Sequence, residues 1–232
     1  MPIASRRIMQ SGNFGSPKFD LGGCVLYVDL WRPDKAGSPF KSSGVYGIPI
    51  HTCTVFGAVW GSQGRTFDGT DDNIDCGTSS VLNIATGAFT FLFWIKPDLS
   101  VDNRKIFCKG LYNTDGTYSW FYNDGTVGFS MNQSGAAQAC ESAAGALVTN
   151  VWHHIAMRRS GANGNVLVNL VSKATSTTLV SATTSTRNFY IGIYDSLSTP
   201  LKGAIGEIIA YPRYLSDSGV RQHQQATKWR YT

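Results

Sequence analysis

Asp68, Asp71, Asp72 and Asp75 crowd one short stretch of an otherwise basic chain, Arg65-Thr66-Phe67-Asp68-Gly69-Thr70-Asp71-Asp72-Asn73-Ile74-Asp75-Cys76-Gly77. Calcium is bound by about six to eight oxygens, carboxylates and backbone carbonyls mixed, and a Gly-containing acidic loop supplies both. Asp68, Asp71 and Asp72 are therefore candidate calcium ligands, although the spacing is not that of an EF-hand. The competing reading is plain turn chemistry, because Asp and Asn side chains cap nearby backbone groups. A second set is aromatic. Tyr112, Tyr118, Trp120 and Tyr122 are interleaved with Asn113, Asp115 and Asn123. Flat apolar rings beside amide and hydroxyl groups suit a sugar, whose faces stack while its hydroxyls hydrogen-bond. In Tyr118-Ser119-Trp120-Phe121-Tyr122, strand alternation places Tyr118, Trp120 and Tyr122 on one face and Phe121 on the other. That face either contacts glycan, with Tyr112 and Asn123 beside it, or fills a core, as aromatics in sandwiches usually do.

Catalytic groups are harder to assemble. Glycosidases use two carboxylates flanking the scissile bond. The chain has two glutamates, Glu141 and Glu207, neither with an acidic neighbour at alternate strand positions. There is no GxSxG elbow, no HExxH and no P-loop. His153 and His154 are adjacent on an expected strand, so they point to opposite faces and cannot share a metal. The expectation is a protein that binds or assembles and is not an enzyme.

The elements that must position these residues read as many short strands. Of 232 residues, 42% are hydrophobic and 15% charged, with 25 glycines, enough apolar material for a core and rich turn chemistry. Strands are expected at 24–31, 53–60, 89–96, 105–109, 118–122, 127–131, 152–158, 166–171, 177–182, 189–193 and 204–211. Asn123-Asp124-Gly125 and Asn163-Gly164-Asn165 read as hairpin turns. Phe89-Thr90-Phe91-Leu92-Phe93-Trp94-Ile95-Lys96 is nearly continuous in apolar residues, so both of its faces should be covered. Ser216 and Asp217 open one short helix near the C-terminus. The fold class is all-β: two antiparallel sheets in a sandwich with that single helix.

Five widely spread cysteines with no CxxC pair argue against structural zinc. They read as small buried hydrophobes, with a single bridge left open. The net charge of +5 is scattered, apart from Arg6 and Arg7 near the start and Lys228 and Arg230 near the end, which disfavours nucleic acid as a partner. No secretory signal pattern opens the chain, and no run reaches the ~18 apolar residues of a membrane span. Residues 1–22 read as a basic arm, with Arg6 and Arg7 as its assembly contacts, ahead of one domain over 23–232.

Four segments in order carry a resemblance: Arg65 to Asp72, Phe89 to Lys96, Trp152-His153-His154-Ile155-Ala156, and Gly203-Ala204-Ile205-Gly206-Glu207-Ile208-Ile209-Ala210-Tyr211 with Leu215-Ser216. The succession resembles the laminin-G-like, concanavalin A-like lectin jelly roll. The resemblance implies that the Phe-Trp strand crosses the middle of a sheet and that calcium sits beside the sandwich. Two positions depart from the family pattern, Gly206 where an acidic residue is common and Pro212 where Asn often follows the Tyr. These features together lead to the expectation of a structural or decoration protein on a virion or similar particle surface, with glycan affinity. Its arm would contact neighbouring subunits. A free-standing carbohydrate-binding lectin is the alternative.

Overall fold

The computed structural model describes residues 19–44 and 49–232. In chain order the strands are β1 (Leu26–Val28), β2 (Phe40–Lys41), β3 (Thr52–Phe56), β4 (Val59–Gly61), β5 (Gly64–Asp68), β6 (Asn73–Asp75), β7 (Phe89–Pro97), β8 (Arg104–Leu111), β9 (Asp115–Phe121), β10 (Val127–Gln133), β11 (Ala136–Glu141), β12 (His153–Ser160), β13 (Asn163–Val168), β14 (Val171–Ser176), β15 (Tyr190–Ile191) and β16 (Lys202–Tyr211). One helix, α1 (Asp217–Thr227), follows. All pairings among the described residues are antiparallel. The first sheet runs β14-β13-β12-β7-β16-β5-β4, with β1 also on β16; the second runs β11-β10-β9-β8-β15-β6-β3-β2.

The core lies between the sheets and is dominated by phenylalanines. Phe89, Phe91 and Phe93 on β7 face inward and meet Phe107, Phe129 and Phe189 of the opposite layer. Phe91 stacks on Phe107 at 4.2 Å between centroids, and Phe89 meets Phe129 edge-on at 5.5 Å. Each such ring removed from water contributes about 1.5–3 kcal/mol.

The other face of β7 is covered as well, which accounts for its unbroken apolar run. Leu92 joins Tyr27, Ala156, Ile209, Tyr211, Leu215 and Val220 in a second cluster beneath α1. Trp94 stacks on Tyr231 at 4.6 Å, and its indole N–H donates to Thr227 Oγ1 at 2.8 Å. The helix starts where its cap dictates: Ser216 Oγ accepts from the Gly219 N–H at 3.3 Å. Within the expected arm, the described residues 19–22 lie on this same outer layer. Leu21 belongs to the cluster, Phe19 meets His223 edge-on at 4.6 Å, and Tyr211 Oη donates to the Asp20 carbonyl at 2.9 Å. Arg6 and Arg7 fall outside the described residues.

Several boundaries differ from the sequence reading. The segment 53–60 is two strands, broken at Gly57, whose φ of +72° turns the chain. Asn163-Gly164-Asn165 lies within β13, and the turn before it is at 161–162. The segment 166–171 folds back at Asn169 and Leu170, both with positive φ (51° and 68°). Leu gives no sign of that conformation in a sequence. Residues 177–182 have no strand pairing, although Leu179 and Ala182 still plug the core.

Candidate functional site

On the outer face of the first sheet α1 leaves a cleft of about 170 Å³ beside it, and a larger groove lies on the outer face of the second sheet. On β9 the alternation works as its sequence predicts: Phe121 enters the core, whereas Tyr118 and Trp120 face outward in a separate cluster with Cys108, flanked by Tyr122 and Tyr194. The aromatic row therefore does not fill the space between the sheets. It lines a groove of about 300 Å³ together with Asn103, Lys105, Tyr112, Ser130, Ala137, Gln138, Ala139 and Glu141. Four of the five residues expected to meet glycan, Tyr112, Tyr118, Trp120 and Tyr122, are thus brought together. Asn123 is exposed in the β9–β10 turn, where its N–H donates to Asp102 Oδ1 at 3.0 Å, and it is not part of the lining.

Tyr118 and Trp120 are buried at the groove's floor, and Tyr122 is half-buried beside them. Tyr118 and Trp120 are 5.4 Å apart and tilted by 47°; Trp120 and Tyr122 are 6.4 Å apart at 61°. Tyr112 is 56% exposed at the mouth, where its backbone N–H donates to Tyr194 Oη at 2.5 Å. The indole N–H of Trp120 has no hydrogen-bond partner among the described residues. Such an unpaired buried donor is costly unless something else accepts from it.

Lys105 was not singled out by its sequence. Its ammonium lies 5.2 Å from the centre of the Tyr118 ring, 6.0 Å from Trp120 and 5.6 Å from Tyr194, and it donates to Asn103 Oδ1 at 2.5 Å. Burial pulls this amine down to about 8. Its orientation depends on a bulge in β8 that shifts the register with β9 between Lys105 and Phe107. Ile106 and Phe107 then both point into the core, and Lys105 and Cys108 both point out. Simple alternation would have put Lys105 and Phe107 on the same face.

The two glutamates are far apart in role. Glu141 is exposed at the groove edge at the end of β11, a strand the sequence reading left unassigned. Glu207 is fully buried on the opposite side of the molecule, under α1. Its Oε1 is 3.3 Å from His223 Nε2 and its Oε2 is 3.6 Å from Arg230 Nη1; Tyr27 Oη donates to Oε2 at 3.5 Å. Although burial pushes this carboxyl up, the hydrogen bond and charge of His223 and the charge of Arg230 outweigh it and hold Glu207 below the usual glutamate range. The chain continues from His223 Nδ1 to His154 Nε2 at 2.8 Å. His153, one residue earlier, turns the other way and meets Val148 through Nε2. Burial, and then neighbouring His223, holds His154 well below an ordinary imidazole.

Three of the four aspartates of the acidic stretch are brought together. Ligand atoms of Asp68, Asp71 and Asp72 all lie within 4.8 Å of one another. Asp72 is buried, and burial first, then the charges of Asp68 and Asp71, pushes its carboxyl up. One oxygen of Asp72 accepts from the Asp68 N–H at 2.8 Å, and Asp68 Oδ1 accepts from the Thr70 N–H at 2.7 Å. These are the turn bonds, and they leave the other carboxylate oxygens to meet a hard cation, which would relieve the crowded charge. Asp75 is elsewhere, held by the Asn188 side chain at 2.7 Å and the Gly77 N–H at 2.8 Å.

Residues 68–221 match the family model described as the concanavalin A-like lectin/glucanases superfamily. The chain belongs to that superfamily. Its departure at Gly206 now has a cause, because β16 bulges there and a Cβ would come within 2.3 Å of the Tyr231 ring. No curated protein matches the chain in sequence. Among solved structures of the same fold are the Trypanosoma rangeli sialidase (TM-score 0.67, 17% identity, covering 93% of this chain and 35% of that one) and the binding domain of botulinum neurotoxin serotype G (TM-score 0.67, 14% identity, covering 88% of this chain and 51% of that one). The chain thus spans about a third of the sialidase and half of the toxin domain. No described helix is long and apolar enough to cross a membrane.

Proposed function

We propose that this superfamily member binds carbohydrate in the groove of the second sheet without cleaving it. The observation that carries this reading is the row Tyr118, Trp120 and Tyr122, turned outward with Tyr112 at its mouth and Asn103, Ser130, Gln138 and Glu141 around it. Apolar walls with a few convergent polar groups are what small-ligand sites present. Here rings would take the C–H faces of a sugar while amides, the hydroxyl and the carboxylate take its hydroxyls. Among the described residues the groove has Glu141 as its one lining carboxylate, whereas glycoside hydrolysis by the usual route needs two. A calcium ion held by Asp68, Asp71 and Asp72 belongs to the same reading; when bound it would neutralise their mutual repulsion and stiffen the loop.

The test is a glycan array with the wild type, Trp120→Ala and Tyr112→Ala, followed by titration of any sugar that is retained. Loss of at least about tenfold in affinity in both variants supports the groove, an effect of about 1.4 kcal/mol, ordinary for an aromatic anchor. Tyr112 is exposed, so its truncation leaves the core intact. No retained glycan, or affinities unchanged in both variants, sinks the proposal. Release of new reducing ends from a retained glycan would make the protein a glycosidase instead.

The biological setting we propose is the surface of a virion or similar particle, where this domain serves as a structural or decoration subunit. What supports it is the basic stretch at Arg6 and Arg7 upstream of a segment, 19–22, that docks on the outer layer. Mass in solution with and without residues 1–18 tests it: an assembly that collapses without them supports the role. A monomer in both forms favours the free-standing lectin.

A further inference from the structure

Among the described residues, β3 and the end of β6 carry one cysteine pair on neighbouring strands whose rungs coincide. Thr54 stands opposite Asp75, Val55 opposite Ile74 and Phe56 opposite Asn73 in the β3–β6 pairing. One further step in the same register puts Cys53 opposite Cys76. Both residues stay within the sheet at that step, the Cys76 N–H donating to the Phe189 carbonyl at 2.9 Å and Cys53 pairing with Phe40 of β2. Both side chains point inward with Val55 and Ile74, and both are in the main core, 0% and 3% exposed. Directly opposed residues of an antiparallel pair have Cα atoms about 4.5 or 5.5 Å apart, and both spacings fall within the range of about 4.4–6.8 Å that a disulfide spans.

The two thiols also interact as they stand. Burial first, and then the hydrogen bond the Cys76 thiol makes to Cys53, raise the Cys76 thiol well above its usual value. The other three cysteines have no such neighbour: Cys24 is in the cluster beneath α1, Cys108 is on the outer face of the second sheet, and Cys140 is on β11. All five are thiols in this structure.

We propose that Cys53 and Cys76 are a cross-strand disulfide site, closed by a small disulfide oxidant such as oxidised glutathione. The chemistry balances as two exchanges. A thiolate of the pair attacks the oxidant, forming a mixed disulfide and releasing one glutathione thiol. The second cysteine attacks the protein sulfur of that mixed disulfide, forming the Cys53–Cys76 bond and releasing the second glutathione. Two protein thiols are oxidised and one glutathione disulfide is reduced, with the two protons passing to the released thiols. Access comes from the sheet's rim: β3 is followed outward only by the two-residue β2. Local opening there is easier than opening the middle of a sheet. The bond would staple β3 to β6 and close the loop that carries Asp68, Asp71 and Asp72.

The full chain is unfolded in reductant and refolded with either reduced thiol alone or a mixture of oxidised and reduced glutathione, then alkylated and mapped. The expected product of oxidative refolding is a monomer lighter by about 2 Da before alkylation, with three alkylated cysteines where the reduced chain has five. The linked peptides should contain Cys53 and Cys76. The midpoint of thermal unfolding should rise by about 5–10 °C and fall back on adding reductant. Cys53→Ser should abolish the bridge, and Cys108→Ser should retain it, which separates loss of the partner from general misfolding. Five alkylated thiols after oxidative refolding of a chain that regains its fold overturns the proposal. So does a bridge mapped to any other pair.

Discussion

Replacing Glu207 by Gln keeps the shape of a side chain that is 0% exposed and removes its charge. Gln can still accept from His223 at 3.3 Å, but Arg230, 3.6 Å away with 8% of its side chain exposed, loses its counter-ion. Breaking a buried ion pair at one partner usually costs about 3–5 kcal/mol, because the other charge stays behind uncompensated. The Arg230 guanidinium lies over Trp31 at 4.1 Å and over Trp229 at 4.8 Å in wild type and variant alike, so these faces cancel in the difference. The net loss should be about 3–5 kcal/mol. In urea, with a slope of about 2–3 kcal/mol per molar, the midpoint should fall by about 1–2.5 M. The assay is equilibrium urea unfolding followed by tryptophan fluorescence, with Glu207→Gln/Arg230→Met as the second variant. Removing both charges should recover more than half of the loss. A single variant within about 0.5 kcal/mol of wild type would refute the assignment of Glu207 to structure. A variant of unchanged stability that lost glycan affinity would move the carboxylate into function.

Three further outcomes follow from the same geometry. Burial holds His154 well below an unfolded imidazole of about 6.5, so the unfolded chain takes up the proton first and stability present above that value drains as pH falls; the His154 share of the loss from pH 8 to pH 6 should be about 0.8 kcal/mol, read as the difference between wild type and His154→Gln. The difference is needed because Asp29, pushed up to about 6 by burial, takes up its proton around that pH with the opposite sign, and His153, also lowered by burial, acts with the same sign, in both proteins. Adding calcium should raise the thermal midpoint of the wild type and not of Asp72→Asn, and a chelator should reverse the rise; equal midpoints with and without calcium would leave the three aspartates as turn formers. Gly206→Ala should cost at least about 2 kcal/mol, since its Cβ would enter the Tyr231 ring that stacks on Trp94, and near-neutral stability would show that the tail is not held there.

What could be read from the sequence was what strict alternation encodes. Tyr118, Trp120 and Tyr122 against Phe121, and the double-sided apolar run of β7, follow from a period of two and are found as expected. The hairpin at Asn123-Asp124-Gly125 and the cap at Ser216 are local chemistry and hold too. Alternation breaks at bulges, and there the reading stopped. The bulge at Ile106 reverses the face of every later residue of β8, and the one at Gly206 does the same in β16, sending Glu207 outward beneath α1. Lys105, Gln138 and Glu141 join the groove only through pairing between β8, β9, β10 and β11, which no local pattern specifies. The Cys53–Cys76 rung is of the same kind, two thiols separated by a loop and made neighbours by register.

The position of the groove follows from how each sheet disposes of its outer face. The first sheet has apolar and charged residues there, Leu92, Tyr211, His154, Arg158 and Glu207, and it has α1, the segment 19–22 and the C-terminal tail to bury them. In that layer Glu207 meets His223 and Arg230 directly. The second sheet instead carries its outward aromatics beneath an open groove: Tyr118 and Trp120 are buried at its floor, Tyr122 is half-buried and Tyr112 is exposed at its mouth. The Trp120 indole N–H, buried there without a partner among the described residues, is a cost that packing alone does not require. Lys105 accentuates the point: its ammonium is held among three rings with one amide as hydrogen-bond partner, on a face where solvent would otherwise stabilise it better. A bound sugar would complete both deficits, covering the rings and offering oxygens to the amine and to the unpartnered indole N–H of Trp120.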